Sequence, residues 1–219
     1  MKPNQSDPTQ LARRVAALRM ELLPLDPFSL AANTGSTYES LEPGKGVFHL
    51  KIWGRDTHMI YPEFVAGDEN TMQELPLPVQ ALLLYYFRMA DGTPRAGRWI
   101  SFSELPDGRF YNQAFQGYTG SELARHFQED FQAFEKAAVN QGGEWPEPGK
   151  DMIGEGAFIF QALPRVPLLA VFWKGDEDFP PSFQILFDAS VSHYLPTDVC
   201  AILASMLTRR LMAARPAGS

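Results

Sequence analysis

One cysteine, Cys200, stands in a chain of 219 residues. That excludes an internal disulfide and leaves any thiolate-held metal or iron–sulfur site short of ligands, so no cofactor is expected to be bound through Cys. Long apolar runs are missing too. The longest, Val79 to Phe87, is interrupted by Gln80 and is too short to span a bilayer, and MKPNQSDPTQ lacks the apolar stretch of a signal peptide. A cytoplasmic protein without a membrane partner is expected. Positive charge is scarce: 19 Lys and Arg against 26 Asp and Glu give a net charge of −7. This is the wrong sign for tracking phosphates, so no nucleic-acid partner is expected. A phosphate-binding loop, a GxGxxG, an HExxH and a paired-Cys motif are all absent. Their absence removes familiar enzyme signatures but leaves open a site gathered from distant residues.

What the chain has is apolar mass: 45% of its residues, with 16 Phe, 7 Tyr and 4 Trp, enough for an ordinary core without staples. Asp7-Pro8-Thr9-Gln10 reads as a helix start followed by Leu11, Val15, Leu18 and Leu22 on one face, with Pro24 and Pro27 as its stop. Val47–Trp53 and Asp56–Tyr61 read as a hairpin closed by Gly54-Arg55. In it Phe48, Leu50 and Ile52 share a face with Thr57, Met59 and Tyr61, while His49, Lys51 and His58 point the other way. Leu77 to Ala90 is apolar all round and predicts a central helix. Arg98 to Leu105 reads as a short strand, and Thr119 to Glu122 as a capping box opening one helix through Ala138. Ala157–Leu163, Leu168–Lys174 and Phe183–Asp188 predict a meander, and Thr197 caps a last helix.

The fold class is therefore α+β: a mixed or antiparallel sheet with a C-terminal three-stranded meander, an N-terminal hairpin and about four helices packed around it. The division predicted is a helix and linker over 1–30, a single domain over 31–213 and a disordered tail over 214–219.

Three segments, LLLYYFRMADGTPRAGRWISFSELPDGRFYNQAFQG, IFQALPRVPLLAVFWKGDEDFPPSFQILFDAS and SHYLPTD, resemble an uncharacterised prokaryotic domain of unknown function found mainly in anaerobic bacteria and archaea. The resemblance covers most of Tyr38 to Leu211. Some members are fused to a cysteine-rich four-iron four-sulfur domain, which implies work near redox or corrinoid-type cofactors. The present chain lacks those cysteines. The resemblance therefore implies an iron–sulfur or corrinoid protein as a partner.

Two constellations carry candidate chemistry. Phe110 to Gly117, FYNQAFQG, interleaves amides with aromatics in what reads as a loop between two elements, and such a mixture suits a flat polar ligand. Tyr111, Asn112, Gln113, Phe115 and Gln116 are its candidate ligand-binding residues. The plainer reading has the amides satisfying backbone groups while the rings plug the core. Arg165, in the rigid LPRVP connector, is a further candidate for a ligand carboxylate or phosphate. Asp188, His193 and Tyr194 follow the last strand, where Asp188 orienting His193 beside a phenol would make an acid–base group. Ordinary turn formation is the alternative. His49 and His58, even with Asp56, are too few for a metal site, and Asp176 to Asp178 lack the spacing of a calcium loop. The leading expectation is a non-catalytic module binding a small ligand or a cofactor-bearing partner. An enzyme using Asp188, His193 and Tyr194, or a protein-interaction scaffold, are its rivals. Oligomeric state is not specified by the sequence.

Overall fold

The computed structural model describes residues 8–147 and 153–215; Asp7, the expected first cap, and most of the predicted tail lie outside them. Among these residues the contacts form two compact units. The first draws on the chain up to Pro94 with Leu163–Arg165 and His193–Pro196. The second takes Arg95–Ala162, Val166–Ser192 and the chain from Thr197 onward.

In the first unit, β1 (Thr37–Glu42), β2 (Lys45–Ile52), β3 (Arg55–Tyr61) and β4 (Val65–Asp68) form an antiparallel sheet in that order. The β2–β3 hairpin pairs Ile52 with Arg55, not Trp53 with Asp56. Its two-residue turn is Trp53-Gly54, with φ of 51° and 76°, the positive pair of a type I′ turn that matches strand twist. A slip of two residues preserves side-chain parity. Phe48, Leu50, Ile52, Thr57 and Met59 are accordingly buried together on the expected face.

Helix α1 (Pro8–Leu22) buries Val15, Leu18 and Leu22 in this unit. Pro27, read as a stop, instead opens α2 (Pro27–Thr34): Asp26 accepts from the Ser29 amide at 2.8 Å, and proline is favoured at a first helical position. The stretch after it, read as irregular, contains β1. Of its six residues only Tyr38 is even partly buried, so no apolar alternation announces the strand. Helix α3 (Leu77–Met89) is buried nearly all round, Gln80 included. The Gln80 carbonyl oxygen accepts from Arg19 at 2.6 Å and its amide donates to Leu75 O at 3.0 Å, which satisfies the polar group inside the core.

The second unit holds β5 (Trp99–Ile100), β6 (Gly156–Leu163), β7 (Val166–Trp173) and β8 (Ser182–Asp188) in the order β5-β8-β7-β6. The strand expected from Arg98 to Leu105 is cut to two residues because Phe102–Glu104 turns as a 3-10 helix closed by a Ser101/Glu104 capping box. FYNQAFQG is not a loop: it lies in α4 (Gly108–Tyr118). Gly108, Phe115 and Thr119 are buried and Asn112 partly so, a stripe of helical spacing. Phe115 stacks on Phe102 with ring centroids 4.1 Å apart. The single helix expected after Thr119 is two, α5 (Gly120–Phe127) and α6 (Phe131–Asn140), broken where Gln128 takes φ of 52°. Phe127, Phe134, Phe172 and Phe183 meet in the core beside them. Helix α7 (Thr197–Ala213) completes the unit; the Thr197 hydroxyl donates to Pro106 O at 2.8 Å. No helix among the described residues is long and apolar enough to cross a membrane.

Candidate functional site

A cavity in the second unit is built outward from one buried acid. Asp188 ends β8 and is 2% exposed. Its Oδ1 accepts from the amides of Ala96 and Ser190, each at 2.9 Å, and from the Ser190 hydroxyl at 2.6 Å; Oδ2 accepts from the Gly97 amide at 2.9 Å. Burial alone would raise this carboxyl, but the hydrogen bonds from Ser190, Ala96 and Gly97 outweigh it and hold the group below the usual carboxylate range. The Ala189 amide donates to Arg98 O at 2.8 Å. The backbone before Arg98 is thereby fastened to the end of the sheet.

Next along the chain, Glu104 Oε2 accepts from the Ser101 amide at 2.8 Å and hydroxyl at 3.0 Å. These bonds lower the Glu104 carboxyl. Gly108 then begins α4 so close to the preceding turn that a Cβ would stand 1.9 Å from Phe102 O. Only glycine permits that approach. The resulting cavity of about 560 Å³ is lined by Arg98, Ser103, Asp107, Arg109, Phe110 and Ser192, among others.

Two of the segments singled out in the sequence thus meet on one cavity: Phe110 from FYNQAFQG, and Ala189 with Ser192 from the stretch after β8. The individual side chains differ from those expected. Tyr111 is 65% exposed and Gln113 is exposed on the outer surface of α4. Phe115 is wholly buried, so its ring serves the core. Asn112 Oδ1 is buried without a hydrogen-bond partner. Gln116 lines a second cavity of about 810 Å³ with Ser121, Arg125, Gln128 and Gln184. Arg125 there is already paired with Glu122 at 2.7 Å. Sequence reasoning missed Arg98, Ser103, Asp107 and Arg109. Their signal is modest, because charged and hydroxyl residues around a Pro-Asp-Gly turn look like surface until the chain folds.

Arg165 belongs to the first unit, in the link between β6 and β7. Its amide donates to the Tyr86 hydroxyl at 3.1 Å, Nη2 lies 3.4 Å from Ala32 O, and Nε is buried without a partner. Tyr86 in turn donates to Thr34 O at 2.5 Å. These bonds tie the connector to the α2 end of its unit.

His193 and Tyr194 also belong to the first unit. The carboxylate that faces His193 is Asp91, not Asp188: Oδ2 lies 2.7 Å from Nδ1, with Thr93 Oγ1 at 3.2 Å. The hydrogen bond with His193, then those with Thr93, pull the Asp91 carboxyl down to about 2. The imidazole is about half exposed. Tyr194 is buried, and its hydroxyl donates to the Thr93 carbonyl. The phenol is therefore an anchor for the Thr93 turn rather than an open proton donor.

His49 and His58 are direct cross-strand partners. His49 is flanked by Glu69 at 2.6 Å and Glu39 at 3.6 Å, while the His58 ring lies where a Gly67 Cβ would be, 2.6 Å away. No group of three His, Cys, Asp or Glu suited to a metal ion occurs among the described residues. Cys200 is buried, and burial pushes its thiol up.

Residues 26–210 match the family model described as Domain of unknown function (DUF3786), and the chain belongs to that family. No curated protein and no solved structure matches the chain.

Proposed function

We propose that this member of the family is a non-catalytic module that binds a small molecule in the cavity at the head of α4. One observation supports the reading above others. Phe110 of FYNQAFQG and Ser192 of the segment after β8 line the same cavity, whose volume of about 560 Å³ falls in the range of small-molecule sites. The framework is stiff where binding needs it to be, since Asp188 and Gly108 fix the backbone on either side. The residues lining it offer guanidinium, carboxylate and hydroxyl groups beside the Phe110 ring, the mixture of polar groups and apolar surface by which a small molecule is held and oriented.

Native mass spectrometry of the protein from its own host, set against the denatured mass, tests the reading. An excess mass is expected in the wild type and should be lost in Phe110→Ala. A retained mass that survives Phe110→Ala would move the site elsewhere.

A second reading rests on the Asp91–His193 pair. Asp91 at 2.7 Å from Nδ1 holds a half-exposed imidazole, the arrangement of an oriented general base. The resemblance adds a further proposal, a partner carrying an iron–sulfur or corrinoid cofactor in an anaerobic host. Its support is the family likeness alone, and co-purification under strict anaerobiosis tests it.

A further inference from the structure

Resting on the cavity reading, we infer that the ligand is an acidic molecule bearing one planar ring, of the size and chemistry of a mononucleotide. The two guanidiniums carry the first half. Arg98 and Arg109 both line the cavity. Arg98 is 67% exposed in its side chain and only 3.6 Å from Glu104, a loose surface pair of the kind that contributes little. Glu104 has already committed its other oxygen to Ser101. Arg109 forms no ion pair among the described residues. Two guanidiniums with weak or no internal partners are a forked donor set for a phosphate or carboxylate, and they stand in a chain whose net charge is −7. Glu104 and Asp107 line the same cavity, so its formal charge is balanced, and what favours an anion is the pair of loosely held guanidiniums in a chain that is acidic as a whole.

The second half follows from Phe110 and Asp107. Phe110 is 85% exposed on the wall of the cavity, and a phenyl face held in water beside an anion site offers a stacking platform for a flat ring. Asp107 takes φ of 58° at the entry to α4 and makes no capping bond to that helix. Its carboxylate is left as an acceptor for sugar hydroxyls or ring amines. Ser103 and Ser192 add hydroxyls on the same wall. Anion, donors and planar ring together describe a nucleoside phosphate better than a simple dicarboxylate, which would leave Phe110 bare.

Isothermal titration of the full chain at low salt with AMP, adenosine and inorganic phosphate separately tests the inference. AMP is expected to bind about tenfold or more tightly than either fragment. Arg109→Gln should remove the advantage of AMP over adenosine, while Phe110→Ala should weaken AMP and adenosine alike and leave inorganic phosphate unchanged. If adenosine binds as well as AMP and still depends on Phe110, the acidic class falls while the cavity reading stands. If none of the three binds, the mononucleotide class falls, and the retained mass decides the cavity reading on its own. AMP binding that is indifferent to both Arg109→Gln and Phe110→Ala overturns both.

Discussion

The carboxylate of Asp188 accepts a hydrogen bond from the amide of Gly97 at 2.9 Å across 91 positions of sequence. That single contact joins the end of β8 to the backbone that carries Arg98. A residue read from the sequence as orienting His193 thus acts as a structural clamp: its carboxylate accepts from backbone amides and from the Ser190 hydroxyl.

Replacing it should be costly. Asp188→Asn puts an amide NH₂ against donors that expect an acceptor, and a loss of about 2–3 kcal/mol is expected from urea denaturation. Because the folded carboxyl is depressed, its contribution is complete above the unfolded value of roughly 3.9 and vanishes as pH falls through the lower folded value. The gap between wild type and variant should therefore be flat near neutrality and close only below about pH 4. A gap that widens on acidification would contradict the clamp.

Gly108→Ala tests the other wall of the cavity. Its methyl would meet Phe102 O at 1.9 Å, so α4 must shift, with an expected cost of about 1–3 kcal/mol. The same substitution at Gly117, where a Cβ meets nothing within 4 Å, should be neutral or slightly stabilising, since alanine is the better helix former. Equal effects at the two glycines would show that α4 is not seated as described.

Tyr86 provides a test of the first unit. Its hydroxyl donates to Thr34 O and accepts from the Arg165 amide, and burial pushes its phenol up. Tyr86→Phe leaves both backbone groups without their partner, and about 1–3 kcal/mol should be lost in thermal or urea unfolding. A neutral result would mean that water or rearrangement replaces the phenol.

For Asp91 the expectation is spectroscopic. Carboxyl carbon NMR titration should place its pKa at about 2 in the wild type and nearer the ordinary carboxylate value of roughly 3.9 in His193→Ala, with Thr93 still holding it partly down. If the value does not move, the Asp91–His193 contact is absent in solution, and the acid–base reading loses its geometry.

How much of this was legible in the sequence depended on whether a signal was local. The β2–β3 faces were readable because alternation survives a two-residue slip of register, so Phe48 and Met59 were placed in the core although the turn was misassigned. β1 was not readable, since Thr37–Glu42 is an almost wholly exposed strand. α4 was mistaken for a loop because its buried stripe consists of a glycine, an amide, one Phe and a Thr, an unusual composition for a helical face. At the cavity, composition singled out the FYNQAFQG segment and position at a strand end singled out the stretch after β8, but the side chains that line it, Phe110 and Ser192, were not among the candidates. Nor was Asp91, because it reaches His193 over 102 positions and nothing local in Ala-Asp-Gly distinguishes a partner for imidazole from a turn.

The central claim is that the cavity at the head of α4 is where this protein meets its ligand. Amide NMR of the ¹⁵N-labelled protein, titrated with the small-molecule fraction of extract from its own host, tests that most directly. The account predicts saturable shifts at Arg98, Ser103, Arg109, Phe110 and Ser192, abolished by Phe110→Ala. Shifts confined to Gln116, Ser121 and Arg125, or gathered around Asp91 and His193, would contradict it.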